Sequence, residues 1–369
     1  MGKAAMFDDT LRLALPSNAR MEEETRRFFE RAGMGVRRPS PRQYTGALRG
    51  VDGVGVLYQR ASEVVVKTNS GLADIGITGL NLVQEYRSDD DALIVLLRDL
   101  GFSRCRLVIA VPEAWVDVTT VADLADLAAD FRARGRTLRV ITGSPNLVRD
   151  YLYACGIVHF ALVEGEGALE VAPAIDTADI VADITETGTT LRDNRLKIIE
   201  GGTIMESQAC LIGNRHALRA SAAKRERVRH ILERVEAHER SRNYRVLTAN
   251  VRGESADEVA HHVIGQVETA GRLGPTVAPV YPKHGVSGGP VVTALETGWY
   301  AVTVVVEEHL LLPAVDHLRQ LTNFGISVSA PEYVFQPTSE AYTEMLAQLG
   351  LDGDDRPDNA HDPGEGGAA

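Results

Sequence analysis

The sequence predicts an α/β protein: two parallel-sheet α/β lobes with a cleft between them, followed by a smaller α+β domain of ferredoxin-like order. Two observations carry that prediction. Short apolar runs alternate with helix-like stretches from Leu11 to Val111 and again from Thr120 to Leu191, the rhythm of helices laid against parallel sheets. Between Tyr244 and Phe335 the order becomes strand, helix, strand, strand, helix, strand, the split β-α-β unit.

Each element has its own justification. Leu11–Leu15 alternates like a strand and stops at Pro16-Ser-Asn, and Met21–Ala32 follows with apolar positions at helical spacing. Gly53–Gln59 is a second strand, then a helix over Ala61–Thr68. Leu72–Gly79 is a strand running into a Gly-containing turn before a helix from Leu80 to Tyr86. Ala92–Leu97 and Cys105–Val111 are further apolar runs. Thr120–Arg132 has helical period, Leu138–Thr142 is a strand, Leu147–Cys155 a helix, Ile157–Val163 a strand and Ala168–Ala174 a short helix. Leu196–Ile199 and Ala209–Gly213 read as strands returning to the first lobe. Ala217–Arg242 is a charged connecting helix. The expected boundaries are residues 1–101 with 195–220 for the first lobe, 102–194 for the second, 221–350 for the ferredoxin-like domain and 351–369 for a disordered acidic tail.

Composition narrows the function. A hydrophobic share of 44% with 24% charged residues over 369 positions suits a soluble globular protein of two or three domains. The net charge of −12, part of it in the C-terminal stretch from Asp352, argues against nucleic acid or an anionic membrane as partner. Cys105, Cys155 and Cys210 make neither a disulfide framework nor a zinc site. With no apolar leader at the start and no run near the ~20 residues of a membrane span, a cytoplasmic protein is expected. His261 and His262 are adjacent on a helix, not spaced to share a metal.

The chemistry concentrates in Ala178–Leu191. A strand carrying Asp179 and Asp183 runs into Thr187-Gly188-Thr189-Thr190, and Leu191 begins a helix with Thr187 or Thr189 as N-cap. Converging backbone N–H groups, hydroxyls and a helix dipole favour an anion, and the carboxylates suit sugar hydroxyls. A strand followed by a capped helix accounts for the same residues without a ligand. Ser17, Asn18 and Arg20 follow a strand as ligand contacts often do, and a plain βα turn explains them equally.

Five collinear stretches resemble a known family. Leu15-Pro-Ser-Asn-Ala-Arg20, Ala73-Asp-Ile-Gly-Ile-Thr-Gly79, Ser144-Pro-Asn-Leu-Val-Arg149, Gly167-Ala-Leu-Glu-Val-Ala-Pro173 and Asp179–Leu191 stand in the order and spacing of ATP phosphoribosyltransferase, the first enzyme of histidine biosynthesis. Gly274-Pro-Thr-Val-Ala-Pro279 resembles the C-terminal regulatory, ACT-like domain of the long form, and the likeness spans residues 11–350. It implies two lobes like those of periplasmic binding proteins. The substrates would be ATP and phosphoribosyl pyrophosphate (PRPP), with Mg²⁺ as cofactor, L-histidine as inhibitor and a homo-oligomer of two to six chains. It further implies that Thr187, Gly188, Thr189 and Thr190 hold the PRPP 5′-phosphate. Asp183 would take the ribose hydroxyls with Asp179 beside it, and Glu170 would lie close by. Ser17, Arg20, Asp74, Thr78, Asn146 and Arg149 would face ATP. Leu273, Thr276 and the 282–298 loop are where histidine would bind. Two positions depart from the family pattern: Asn18 stands where many members have a lysine, and Gly143-Ser144 where relatives have Lys-Tyr. The competing readings are a non-enzymatic two-lobed solute binder and a weakly active paralogue of the transferase.

Overall fold

Strands buried on both faces need near-continuous apolar sequence, and Leu11–Pro16 (β1) has it: five of its six residues are buried. The computed structural model describes residues 10–40, 42–87, 91–165, 167–271, 274–280 and 298–351. They divide into two units. One runs to His230 and includes the helix Glu340–Leu349, and the other is Ile231–Ser339.

In chain order the first unit continues with α1 (Ala19–Arg31), β2 (Val36–Arg37), β3 (Thr45–Leu48), β4 (Val54–Gln59), α2 (Ala61–Asn69), β5 (Ile75–Gly79), α3 (Leu80–Glu85) and β6 (Leu93–Leu97). Then come β7 (Cys105–Pro112), α4 (Val121–Ala133), β8 (Leu138–Thr142), α5 (Pro145–Ala154), β9 (Phe160–Glu164) and a 3₁₀ turn at Leu169–Val171. It closes with β10 (Ile180–Thr185), α6 (Thr189–Asp193), β11 (Leu196–Ser207), β12 (Ala209–Asn214), α7 (Arg215–Ala220) and the start of α8 (Ala222–Ser241). Two sheets result, ordered β2-β3-β4-β1-β5-β12-β6 and β11-β7-β10-β8-β9. Each has a parallel core of three strands, β4-β1-β5 and β10-β8-β9, extended by antiparallel strands. The expected parallel sheets are present as these cores, and the antiparallel strands make each lobe a mixed sheet.

Two boundaries also differ. Leu196–Ser207 pairs with β7 in the second sheet, and only β12 returns to the first. A single residue, Gln208, separates these two strands, so the chain crosses between sheets there and again between β6 and β7. The helix Glu340–Leu349, unanticipated from the sequence, lies on β6 within the first unit and buries Ala341, Met345, Leu346 and Leu349, a stripe at helical spacing.

The helices cover the sheets with their apolar faces. On α1, Met21, Thr25, Phe28 and Phe29 are buried at i, i+4, i+7 and i+8, and Phe28 packs on both Phe29 and Phe102. Truncating a ring as buried as Phe29 costs about 3–5 kcal/mol. In the second lobe Leu107, Ile109, Val140, Val148, Leu152 and Ile180 form the core under α4 and α5.

The second unit holds β13 (Tyr244–Arg252), α9 (Ala256–Ile264), α10 (Val267–Ala270), β14 (Thr276–Pro279), β15 (Trp299–Glu307), the helix Leu311–Leu321 and β16 (Ser327–Ser329). Its sheet runs β14-β15-β13-β16 with every neighbour antiparallel, the ferredoxin-like order. Val302, Val304 and Leu247 on the sheet meet Val259, Val263, Ala314 and Leu318 from the helices. Among the described residues no helix is long and apolar enough to cross a membrane. The acidic tail from Asp352 and the 282–297 part of the expected effector loop lie outside the described residues.

Candidate active site

Ligands of open α/β sheets gather outside the C-terminal ends of the parallel strands, and both lobes turn such ends toward one cavity of about 310 Å³. From the first lobe come Asn18, Arg20 and Met21 after β1, Ala61 after β4, and Gly79, Asn81 and Leu82 after β5. The crossover to β7 supplies Ser103, Arg104 and Cys105, and the end of β10 supplies Ile184, Thr185 and Glu186.

Local chemistry fixes these turns. Ser17 donates its backbone N–H to the Gln59 carbonyl at 2.7 Å, tying the turn after β1 to the end of β4. Arg60, the N-cap of α2, stands at that same strand end. A Cβ on Gly79 would sit 2.5 Å from Asn81 Oδ1, so a larger residue there would push the Asn81 amide out of place. Asn81 receives the Ser207 hydroxyl proton at 2.9 Å and returns its own backbone N–H to Ser207 Oγ at 2.9 Å. Ser207 ends β11, so this buried exchange fastens the cavity floor across the two sheets.

On the opposite wall β10 ends in the Thr185–Thr190 turn. Gly188, at φ +76°, takes the left-handed backbone that glycine accepts freely, and its N–H donates to Thr185 Oγ1 at 2.9 Å. Thr187 and Thr189 share a hydroxyl hydrogen bond of 2.9 Å. Gly188 itself is the N-cap of α6, in place of the expected threonine. Asp183 points its Oδ1 at the Ile184 N–H, 2.7 Å away. Burial pushes its carboxyl above the usual range against that hydrogen bond, and the nearby charge of Glu170 pushes the same way. Glu170 sits in the 3₁₀ turn that follows Gly167 and Ala168, both at positive φ. The structure thus gathers Glu170, Asp183 and the Thr187–Thr190 turn on one wall.

Two carboxylates without a role in the sequence reading join the lobes here. Glu186 takes Arg20 Nη1 and Nη2 at 2.6 and 2.8 Å, a two-pronged pair across the cavity, and this bond holds the Glu186 carboxyl below its ordinary range. Glu85, buried at the end of α3, accepts the N–H groups of Asn146 and Leu147 at 2.9 and 3.0 Å, filling the N-terminus of α5. The signal was legible for Glu186, an acid inside Thr-Glu-Thr-Gly-Thr-Thr. It was absent for Glu85, whose partner lies 61 residues away.

Other expected residues are engaged by the protein itself. Asp74 precedes β5, at the N-terminal end of its strand, and is wholly buried against Arg12 and Lys224 at 2.6 and 3.1 Å. Asp179 precedes β10 in the same way and is held by Arg139 at 3.0 Å and Arg136 at 3.4 Å. Both lie at the strand ends remote from the cavity and act as structural ions, not ligand contacts. Thr78 is buried and donates its hydroxyl to the Ala61 carbonyl at 2.7 Å, stitching β5 to α2. Asn146 gives its side-chain amide to the Glu85 carbonyl at 3.1 Å and receives Arg149 at 2.8 Å, so these two close on each other and on α3. In the second unit Thr276 borders a cavity of about 440 Å³ with Tyr244, Thr303 and Tyr333, while Leu273 lies outside the described residues.

Mg²⁺ needs one or two carboxylates when substrate phosphates complete its shell. Among the described residues no group of three or more His, Cys, Asp or Glu is placed to hold a metal ion. The neighbouring Asp183 and Glu170 fit the first requirement, since their mutual repulsion marks a place where added positive charge is favourable.

Comparison with known proteins identifies the family. The family model described as HisG, ATP phosphoribosyltransferase, matches residues 60–237, and that of the HisG C-terminal domain matches residues 241–330. Chloroplastic ATP phosphoribosyltransferase 2 of Arabidopsis thaliana is 35% identical over 93% of this chain and 81% of its own length. The ATP phosphoribosyltransferase of Bradyrhizobium sp. (strain ORS 278) is 40% identical over 74% of this chain and 84% of its own. A solved ATP phosphoribosyl transferase (HisG:HisZ) complex from Thermotoga maritima aligns with a TM-score of 0.49 at 25% identity, covering 62% of this chain and 96% of that one. The chain, matched along both its units, belongs to the ATP phosphoribosyltransferase family.

Proposed function

We propose that the protein transfers the 5-phosphoribosyl group of PRPP to N1 of ATP, the first step of L-histidine biosynthesis, and that histidine inhibits it through the second unit. The observation that carries this reading is the Thr187–Thr190 turn, which joins β10 to α6 and directly follows Asp183 and the cavity-lining Thr185 and Glu186. The turn offers backbone N–H groups and three hydroxyls to the 5′-phosphate. Asp183 accepts the ribose hydroxyls, and a carboxyl with a raised pKa gains most from such donors.

With the sugar fixed at the second lobe, the apolar wall of Met21, Ala61 and Leu82 holds a base flat, and Arg20 faces an anion. N1 then bonds to ribose C1 as the C1–O bond to pyrophosphate breaks and its electrons leave on the pyrophosphate. Burial holds the Cys105 thiol of the cavity wall in its neutral form, so the site's contribution is orientation, exclusion of water and charge stabilisation. Mg²⁺, held by Asp183 or Glu170 with substrate oxygens, would supply neutralisation of the leaving group's charge.

The test is incubation of the full chain with ATP, PRPP and Mg²⁺, following pyrophosphate release and the absorbance of N1-phosphoribosyl-ATP. Product formation that falls on adding histidine is expected. No product overturns the transferase reading, and turnover indifferent to histidine overturns the regulatory part. Thr276→Arg, which puts a bulky cation into the 440 Å³ cavity, should keep turnover and lose the inhibition.

A further inference from the structure

Both arginines that line the 310 Å³ cavity are already bonded to carboxylates of the protein. Arg104 meets Asp99 at 2.6 Å within its own segment. Arg20 meets Glu186 at 2.6 and 2.8 Å from the opposite lobe, 166 residues along the chain. A polyanionic substrate entering this cavity must displace one of them.

We propose that Glu186 is a positioning residue that holds Arg20 across the cavity and yields it to a diphosphate-bearing substrate, so that the exchange sets substrate affinity. The proposal deepens the transferase reading and rests on it for the identity of the substrate. Exchange is cheap because the pair is half in water, with the two side chains 60% and 49% exposed. A diphosphate offers the guanidinium fork more charge than one carboxylate does. Glu24, on the same helix as Arg20 and 3.5 Å from it, receives the Ser103 hydroxyl and keeps the guanidinium directed into the cavity once Glu186 releases it.

Glu186 also lies between Thr185, whose hydroxyl holds the Gly188 N–H, and Thr187, which bonds Thr189. Releasing the carboxylate from Arg20 therefore removes a two-pronged side-chain tether between this turn and the first lobe. The turn is then free to settle on the sugar phosphate at the moment the diphosphate arrives.

The experiment is calorimetric titration of the full chain with inorganic pyrophosphate, for wild type, Glu186→Gln, Arg20→Gln and the double variant. Glu186→Gln should bind pyrophosphate about two- to five-fold more tightly than wild type, with the gap closing at high salt. In the Arg20→Gln background the same change should have no effect, which a merely structural role for Glu186 would not produce. In turnover the KM for PRPP should fall in Glu186→Gln while kcat stays within two-fold, on the order expected for lost ground-state competition. Equal or weaker pyrophosphate binding by Glu186→Gln, or none by either protein, overturns the proposal. Absence of transferase turnover in wild type would overturn the function reading and leave the pyrophosphate comparison standing.

Discussion

Replacing Asp74 by Asn separates a structural ion from a ligand contact. Asp74 is fully buried and accepts the Arg12 backbone N–H at 2.7 Å, Arg12 Nε at 3.1 Å, Arg12 Nη2 at 2.6 Å and Lys224 Nζ at 3.1 Å. Burial pushes its carboxyl upward, but the hydrogen bonds from Arg12 and Lys224 outweigh that and leave it below its ordinary value. Asn keeps the shape and one acceptor but removes the charge, leaving the buried Lys224 ammonium beside a guanidinium. Breaking a buried pair in this way costs about 3–5 kcal/mol. At about 2–4 °C per kcal/mol for a unit of this size, the melting temperature should fall by roughly 6–20 °C. Because the folded carboxyl titrates lower than the unfolded one, its stabilisation is present above the unfolded pKa of about 4 and disappears as pH falls through the folded value. Wild type and variant should therefore converge in stability in acid. The assay is thermal melting followed by circular dichroism at neutral and acid pH, with the KM for ATP measured on the folded variant. A melting temperature unchanged within a degree, together with a raised KM for ATP, would refute the assignment and return Asp74 to the substrate wall.

Further outcomes follow from the opposite end of the strands. Thr189→Val with Thr190→Val removes two hydroxyl donors from the turn and should raise the KM for PRPP about ten- to a hundred-fold, given the strength of hydrogen bonds to charged groups; an unchanged KM in initial-rate kinetics removes the turn from the phosphate site. Asp183 must be ionised to receive ribose hydroxyls, and burial with Glu170 holds its pKa up, so kcat/KM should fall as pH drops through a value above the usual carboxylate range. Glu170→Gln removes the like charge and should move that acid limb to lower pH; a pH–rate profile with an unmoved limb breaks the link between the two acids.

Much of the fold was legible because burial imposes pattern locally. β1, β8 and β12 are nearly continuous apolar runs, and α1 shows its buried stripe at helical spacing. Which sheet a strand joins is a different kind of information. Leu196–Ser207 and Ala209–Asn214 are separated by one residue yet belong to different sheets, a choice made by partners about ninety residues upstream in β7 and by β5 and β6. The Thr187–Thr190 turn was visible for a local reason, glycine flanked by hydroxyls between a strand and a helix. Glu85 was invisible because its function is the N-terminus of a helix in the other lobe.

The misplacement of Asp74 and Asp179 has one cause, and it shows how the two lobes divide their work. Each acid immediately precedes a parallel strand, and each is gripped by an arginine on the neighbouring strand: Arg12 on β1 for Asp74, Arg139 on β8 for Asp179. In both pairs the arginine gives its backbone N–H as well as its guanidinium, at 2.7 and 2.8 Å. The aspartate thus caps the N-terminal end of a parallel pair, where the first N–H groups lack ladder partners. The two parallel cores are closed with buried charge at one end and left with turns of glycine, hydroxyl and exposed arginine at the other. Charge that is fully desolvated is costly to disturb and suits a scaffold, whereas the half-exposed Arg20–Glu186 pair is cheap to exchange and suits a site. Position along the strand, rather than the acid itself, decides which of these an aspartate becomes. That rule already separates Asp183, near the C-terminal end of β10, from Asp179 just before its first residue.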